Sequence, residues 1–236
     1  MTASEGFRLD DSSDTLMLHL DRPPVNAIDL GVVRSLAAVM ERIGEMPPSR
    51  PLVITGRGSR FSAGLDLKTV PHYGRAEQQE MIETINRLVH MLYGMPRPTV
   101  AALNGHALAA GLVFALSCDY RVSTSAPCRF GLPEINVGIP YPAGPMQVVQ
   151  HELPPSTARV LVLCGQTFDP VAALAHGIVD EVVAPERVVP RAVEMATTMA
   201  AFRNYGRIKT QFRAPAIAEL QRIVEERSDP MLAGWI

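Results

Sequence analysis

Disulfides are missing as an organising device: Cys118, Cys128 and Cys164 are odd in number and show no C-x-x-C spacing, a usage that fits a reducing compartment. Neither charge sign dominates. The 22 Lys and Arg stand against 24 Asp and Glu for a formal net charge of -2, and the cations are scattered, which excludes a nucleic-acid footprint. The longest apolar run, Ala107 to Leu116, is too short to cross a bilayer, so no membrane partner is expected. The opening M-T-A-S-E-G-F-R-L-D-D is acidic and lacks an apolar centre, so it reads as neither a secretory leader nor a transit peptide, and the expected location is the cytoplasm. The six histidines are dispersed without ligand spacing, and no metal site is expected. Phosphate-loop, G-x-S-x-G and H-E-x-x-H signatures are absent; Gly56-Arg57-Gly58 begins like a dinucleotide fingerprint, but Phe61 stands where its third glycine belongs. There is no fixed-period repeat and no low-complexity tract.

What is present is globular: 47% apolar and 19% charged residues, in a length that suffices for one substantial core. Strands and helices alternate, which predicts an α/β class. A strand over Thr15 to Leu20 ends at Asp21-Arg22-Pro23-Pro24; Asp29 is placed to cap a helix from Leu30 to Ile43; Pro51 to Thr55 is an apolar strand followed by a glycine-bearing loop. A helix from about Ala76 to Tyr93 leads to the central stretch, Thr99 to Asp119, which reads as strand, Asn104-Gly105 turn, then helix. After Asp119 to Val122, a short strand, comes a Gly- and Pro-rich loop through Pro145. Helices then dominate, at Met146 to His151, Ser156 to Leu163, Asp169 to Ala175, Pro185 to Ala201 and Ala214 to Arg227, with a last strand over Ile178 to Val183. The expected division is a β/α core over 1–185 and a helical region over 186–236.

Two turns of small residues follow strands, Ser62 to Asp66 and Ala107 to Gly111, and one loop carries a carboxylate, Glu134. Small residues at a helix start serve close packing, and equally leave unpaired N–H groups open to a ligand. Taken singly, Glu134 reads as a solvated loop acid, Asp66 as a turn or capping residue and Lys68 as a surface cation. Together, two backbone donors and a carboxylate form a set for enolate chemistry. The donors hold charge on a carbonyl oxygen while the acid moves the α-proton, and no metal or organic cofactor is required.

Several segments, in order, resemble the enoyl-CoA hydratase/isomerase (crotonase) superfamily: R-P-P-V-N-A at Arg22 to Ala27, F-S-A-G-L-D-L at Phe61 to Leu67, the N-G-H-A-L-A-A-G stretch, C-D-Y-R at Cys118 to Arg121, F-G-L-P-E at Phe130 to Glu134 and G-I-V-D-E-V-V at Gly177 to Val183. The resemblance implies a spiral of β-β-α units with C-terminal helices, homotrimers or dimers of trimers, and an acyl-CoA thioester as substrate with no separate cofactor. It places the oxyanion donors at Leu65 and Ala110, with alanine where the family most often has glycine, and the acid at Glu134. The family's hydratases carry a further glutamate early in the central helix; Val113 stands there. That pattern is similar to the Δ3,Δ2-enoyl-CoA isomerases, in which one base suffices. Val113, Ile135, Val137 and Ile139 are expected as an apolar wall that raises the pKa of the acid. By the same resemblance Val25, Ala27, Ala63, Gly64, Asp66, Lys68, Gly111 and Pro133 lie along the substrate path. A hydratase using Glu134 alone, or a non-catalytic acyl-CoA-binding protein, are the rival readings.

Overall fold

The alternation Leu16-Met17-Leu18-His19-Leu20 buries every second residue, the period of a strand with one covered face. In the computed structural model, which describes residues 2–4 and 6–233, this segment is β3 (Leu16–Asp21), preceded by β1 (Thr2–Ser4) and β2 (Gly6–Asp10). Then follow α1 (Leu30–Glu45), β4 (Leu52–Gly56), β5 (Arg60–Ser62), α2 (Arg75–Gly94), β6 (Thr99–Leu103), β7 (His106–Leu108) and α3 (Ala110–Leu116). The second half holds β8 (Tyr120–Thr124), β9 (Phe130–Gly131), α4 (Ala143–Glu152), α5 (Pro155–Cys164), β10 (Thr167–Phe168), α6 (Pro170–Ala175), β11 (Glu181–Val183), α7 (Val188–Ala200), α8 (Tyr205–Phe212) and α9 (Ala214–Glu226).

A seven-stranded sheet has the order β1-β2-β3-β4-β6-β8-β11, antiparallel as far as β3 and parallel beyond it. A four-stranded sheet runs β10-β9-β7-β5, with β5, β7 and β9 parallel. The chain therefore gives one strand to the large sheet, one to the small sheet, then a helix, three times over: β4-β5-α2, β6-β7-α3 and β8-β9-α4. This is the expected β-β-α progression. It leaves no fixed period in the sequence because the connections differ in length: β4 begins at Leu52, β6 at Thr99 and β8 at Tyr120.

β4 and β6 are buried at every position because both faces of the sheet are covered. Leu52, Ile54, Ala101 and Leu103 join the main core, to which α1 adds Val33, Leu36, Met40 and Ile43 and α2 adds Met81, Leu88 and Leu92. On the other face Val53, Val100, Ala102 and Val122 meet Val188, Ala192 and Ala196 of α7. The C-terminal helices thus belong to the core, with Ala216 and Leu220 of α9 in the main cluster. Asp29 caps α1, accepting from the Val32 N–H at 3.0 Å.

The strands β1, β2, β5 and β10 have no counterpart in the sequence reading, and three further features differ from it. A strand, β7, stands between the Asn104-Gly105 turn and the helix; at three residues it is too short to show a period. The last strand begins at Glu181 rather than Ile178, because Ile178 and Val179 turn back to donate to Ala173 O. An additional helix, α8, occupies an eight-residue segment whose apolar Ile208 and Phe212 are exposed, and two turns are too few to declare a helical period.

Candidate active site

The parallel pairing of β5 with β7 carries the two small-residue turns out of the small sheet side by side. Asn26 anchors the first of them, donating through Nδ2 to Arg60 O at 2.9 Å and to Phe61 O at 3.2 Å, while Ser62 Oγ donates to Asn26 O at 2.7 Å. Gly64 has φ +83°, and a Cβ there would lie 2.6 Å from Ala109 Cβ and 3.2 Å from Ala110 N, so only glycine lets the turns approach. Gly111 is equally constrained: a Cβ there would stand 2.6 Å from Ser62 O.

The Leu65 backbone forms a parallel bridge with Ile28, in which the Ile28 N–H donates to Gly64 O and the Asp66 N–H donates to Ile28 O, both at 2.8 Å. The Leu65 N–H takes no part in it. Ala110 opens α3, where an N–H has no partner one turn back. Among the described residues neither N–H enters a turn or loop backbone hydrogen bond, and both residues line one cavity. Ala109, which sets the direction of the Ala110 N–H, has φ 52° and ψ −132°, a conformation that carries strain for a residue with a Cβ. Ala109→Gly should relieve it and stabilise the fold by about 1 kcal/mol, read as a higher urea midpoint at an unchanged m-value.

The cavity has a volume of about 220 Å³ and is walled by hydrocarbon from α1, α2 and α3. Glu134, Asn136 and Tyr141 are the polar side chains on its lining, and Val113, 3% exposed, is part of its apolar wall. Glu134 lies in a single helical turn, Pro133–Val137. Burial holds its carboxyl above the ordinary value of 4.5, opposed by the Tyr141 hydroxyl, which donates to Oε2 at 2.8 Å. The arrangement offers two backbone donors to an oxygen and one carboxylate to a nearby proton, in a cleft walled mostly by hydrocarbon. It is suited to enolate formation.

Of the residues singled out in the sequence, Ala63, Leu65, Ala110, Val113, Pro133 and Glu134 come together on this lining. Val25, Ala27, Gly64, Asp66, Lys68 and Gly111 do not. Val25 stands behind the first donor turn, its carbonyl accepting from the Ala63 N–H at 3.0 Å. Ala27 O and Asp66 are tied to Arg22, with Asp66 Oδ2 2.9 Å from Nη1. The Lys68 side chain is exposed, and its N–H donates to Asp66 Oδ1. Val137 and Ile139 join Val113 on the lining, but Ile135 does not: it is 49% exposed and lies beside Gly165 at the end of α5. Sequence reasoning missed Tyr141. Its signal is a lone tyrosine between prolines, Pro140-Tyr141-Pro142, seven residues after the acid.

Among the described residues no His, Cys, Asp and Glu cluster could hold a metal ion, and no helix is long and apolar enough to cross a membrane. The chain is similar to the probable enoyl-CoA hydratase EchA17 of Mycobacterium tuberculosis, 35% identical over 180 residues that cover 76% of this chain and 69% of the relative. Among solved structures it resembles an enoyl-CoA isomerase from Mycobacterium tuberculosis (TM-score 0.84, 26% identity, 98% and 99% of the two chains covered). It also resembles the enoyl-CoA hydratase EchA3 of Mycobacterium ulcerans (TM-score 0.81, 28% identity, 93% and 96% covered). The enoyl-CoA hydratase/isomerase sequence model matches residues 11–231, which take in both donor turns, the Glu134 loop and the helices behind them. By fold, by sequence and by the paired turns facing one acid, this chain belongs to the enoyl-CoA hydratase/isomerase family.

Proposed function

We propose that this acyl-CoA-processing enzyme moves the double bond of a 3-enoyl-CoA thioester to the 2-position, with Glu134 as the single proton shuttle. The observation that carries the reading is Val113. Adding water across a double bond requires one group to hold and deprotonate the water and another to protonate carbon. A valine does neither, and the lining offers one carboxylate among the described residues. Isomerisation needs one base. Glu134 removes the C2 proton, the Leu65 and Ala110 N–H groups hold the dienolate oxygen, and the proton returns at C4. The chemistry draws on the acidity of the thioester and requires no added cofactor.

A hydratase acting through Glu134 alone is the second reading, favoured by the hydratase names of several relatives. Incubation with 3-enoyl-CoA and 2-enoyl-CoA separates the two. The isomerase reading expects conjugated 2-enoyl thioester to form from the first substrate and no hydroxyacyl thioester from the second. Hydration without isomerisation overturns it, and binding with turnover of neither substrate leaves a non-catalytic acyl-CoA-binding protein.

A further inference from the structure

Tyr141 Oη lies 2.8 Å from Glu134 Oε2 and 2.8 Å from the Leu132 carbonyl oxygen. A phenol has one proton and a peptide carbonyl only accepts, so the hydroxyl cannot serve an ionised carboxylate and the carbonyl together. With Glu134 protonated the conflict vanishes, since a neutral acid competes weakly for the phenol proton. Tyr141 is fixed between Pro140 and Pro142, which restrict its backbone, and α4 begins directly after Pro142. The cavity walls from α1, α2 and α3 are hydrocarbon, and Tyr141 is the titratable group facing Glu134 among the described residues on the lining.

We propose that Tyr141 is the positioning residue of the proton shuttle: its hydroxyl fixes Glu134 through Oε2 and transfers its hydrogen bond between Glu134 and the Leu132 carbonyl as the carboxyl gains and loses the substrate proton. The inference rests on the reading of Glu134 as the base. In the resting site the phenol donates to the ionised Oε2 and leaves Oε1 for the substrate. The C2–H bond breaks, its proton goes to Oε1, and its electron pair enters the dienolate, whose oxygen faces the Leu65 and Ala110 donors. Neutral Glu134 is the poorer acceptor, so the phenol proton turns to Leu132 O without any movement of heavy atoms. Protonation of C4 from Oε1 restores the carboxylate and draws the phenol back. One proton leaves C2 and one arrives at C4.

Tyr141→Phe keeps the ring and removes the hydroxyl. Losing a hydrogen bond to a charged group raises the pKa of Glu134 further, so the acid limb of kcat/KM against pH should move up by about one unit. An unmoved acid limb overturns the proposal. A second readout needs no turnover: in protein carrying 13C-labelled glutamate, the Glu134 carboxyl resonance, identified by its absence in Glu134→Gln, should titrate about one unit higher in Tyr141→Phe than in the parent. Coincident titrations overturn the proposal even in an active isomerase. Displaced titrations in a protein that does not isomerise uphold the coupling and remove the isomerase reading instead.

Discussion

Glu134→Gln should lower the rate of the proposed isomerisation by about 10²- to 10⁴-fold, the range that a positioned general base supplies. The amide keeps the size of the side chain and still accepts from Tyr141, so the loss falls on proton transfer rather than on packing. KM should change little, because on the proposed reading the thioester oxygen is held by the Leu65 and Ala110 backbone rather than by Glu134. The residual rate should lack the acid limb that Glu134 gives the parent. Stability should move the other way. The folded pKa of Glu134 lies above the ordinary value of 4.5, through burial, so as pH rises the unfolded chain releases this proton first. The stability of the protonated site is fully present below about pH 4.5 and is lost as pH rises through the folded pKa. Glutamine does not ionise, so the variant is expected to be at least as stable as the parent at neutral pH, measured by urea unfolding at pH 4 and pH 7. A variant retaining more than about a tenth of the parent rate would remove Glu134 from the chemistry.

Much of this site can be read in the chain because its parts are local. Ala63-Gly64 and Ala109-Ala110-Gly111 each follow a strand directly, and their small side chains mark places where backbone must come close to something. Glu134 sits in a Gly- and Pro-bounded loop. What cannot be read is set by contacts over long separations. Asn26 is tied to Arg60 and Phe61, more than 30 positions away. Asp66 looks like a candidate for the substrate path until Arg22, 44 positions distant, is found to hold it. Val25 and Ala27 lie behind the donor turn rather than on the cavity, a distinction of facing that residue type does not encode. Tyr141 escaped because neither a lone tyrosine nor a lone glutamate is unusual; their partnership exists only after the loop folds back. The two- and three-residue strands of the small sheet stayed hidden for a simpler reason, since a period-two pattern needs more positions to declare itself.

The largest stability effect should come from Asp119, in a segment whose pattern is plain but whose partners are not. Its Oδ1 lies 2.9 Å from Lys209 Nζ and 2.9 Å from Arg213 Nη1, and its Oδ2 accepts from the Thr99 N–H at 2.8 Å. The three charged side chains are 7%, 4% and 5% exposed. The network continues from Arg213 to Glu152 at 3.1 Å, from Glu152 to Arg121 at 3.3 Å and from Arg121 to Asp180 at 3.1 Å. Lys209, Arg213 and Arg121 thus balance Asp119, Glu152 and Asp180 beneath α8 and α9. Asp119→Ala leaves two buried cations facing each other, and removing one partner of a buried pair costs about 3–5 kcal/mol. The urea midpoint should fall accordingly. Asp119→Leu combined with Lys209→Met should cost less than Asp119→Leu alone, since an apolar pair needs no desolvation of charge and Arg213 retains Glu152. A loss below about 1 kcal/mol in Asp119→Ala would mean that solvent reaches these cations. The site has a stake in the outcome. Asp229, just beyond α9, accepts from the Ala143 N–H at 2.7 Å and from Asn86 Nδ2 at 2.8 Å, and Ala143 opens α4 two residues after Tyr141. Loosening the C-terminal helices therefore frees the segment that seats Tyr141 against Glu134. Asp119→Ala should lose activity on warming before its global unfolding transition, while at low temperature it turns over near the parent rate.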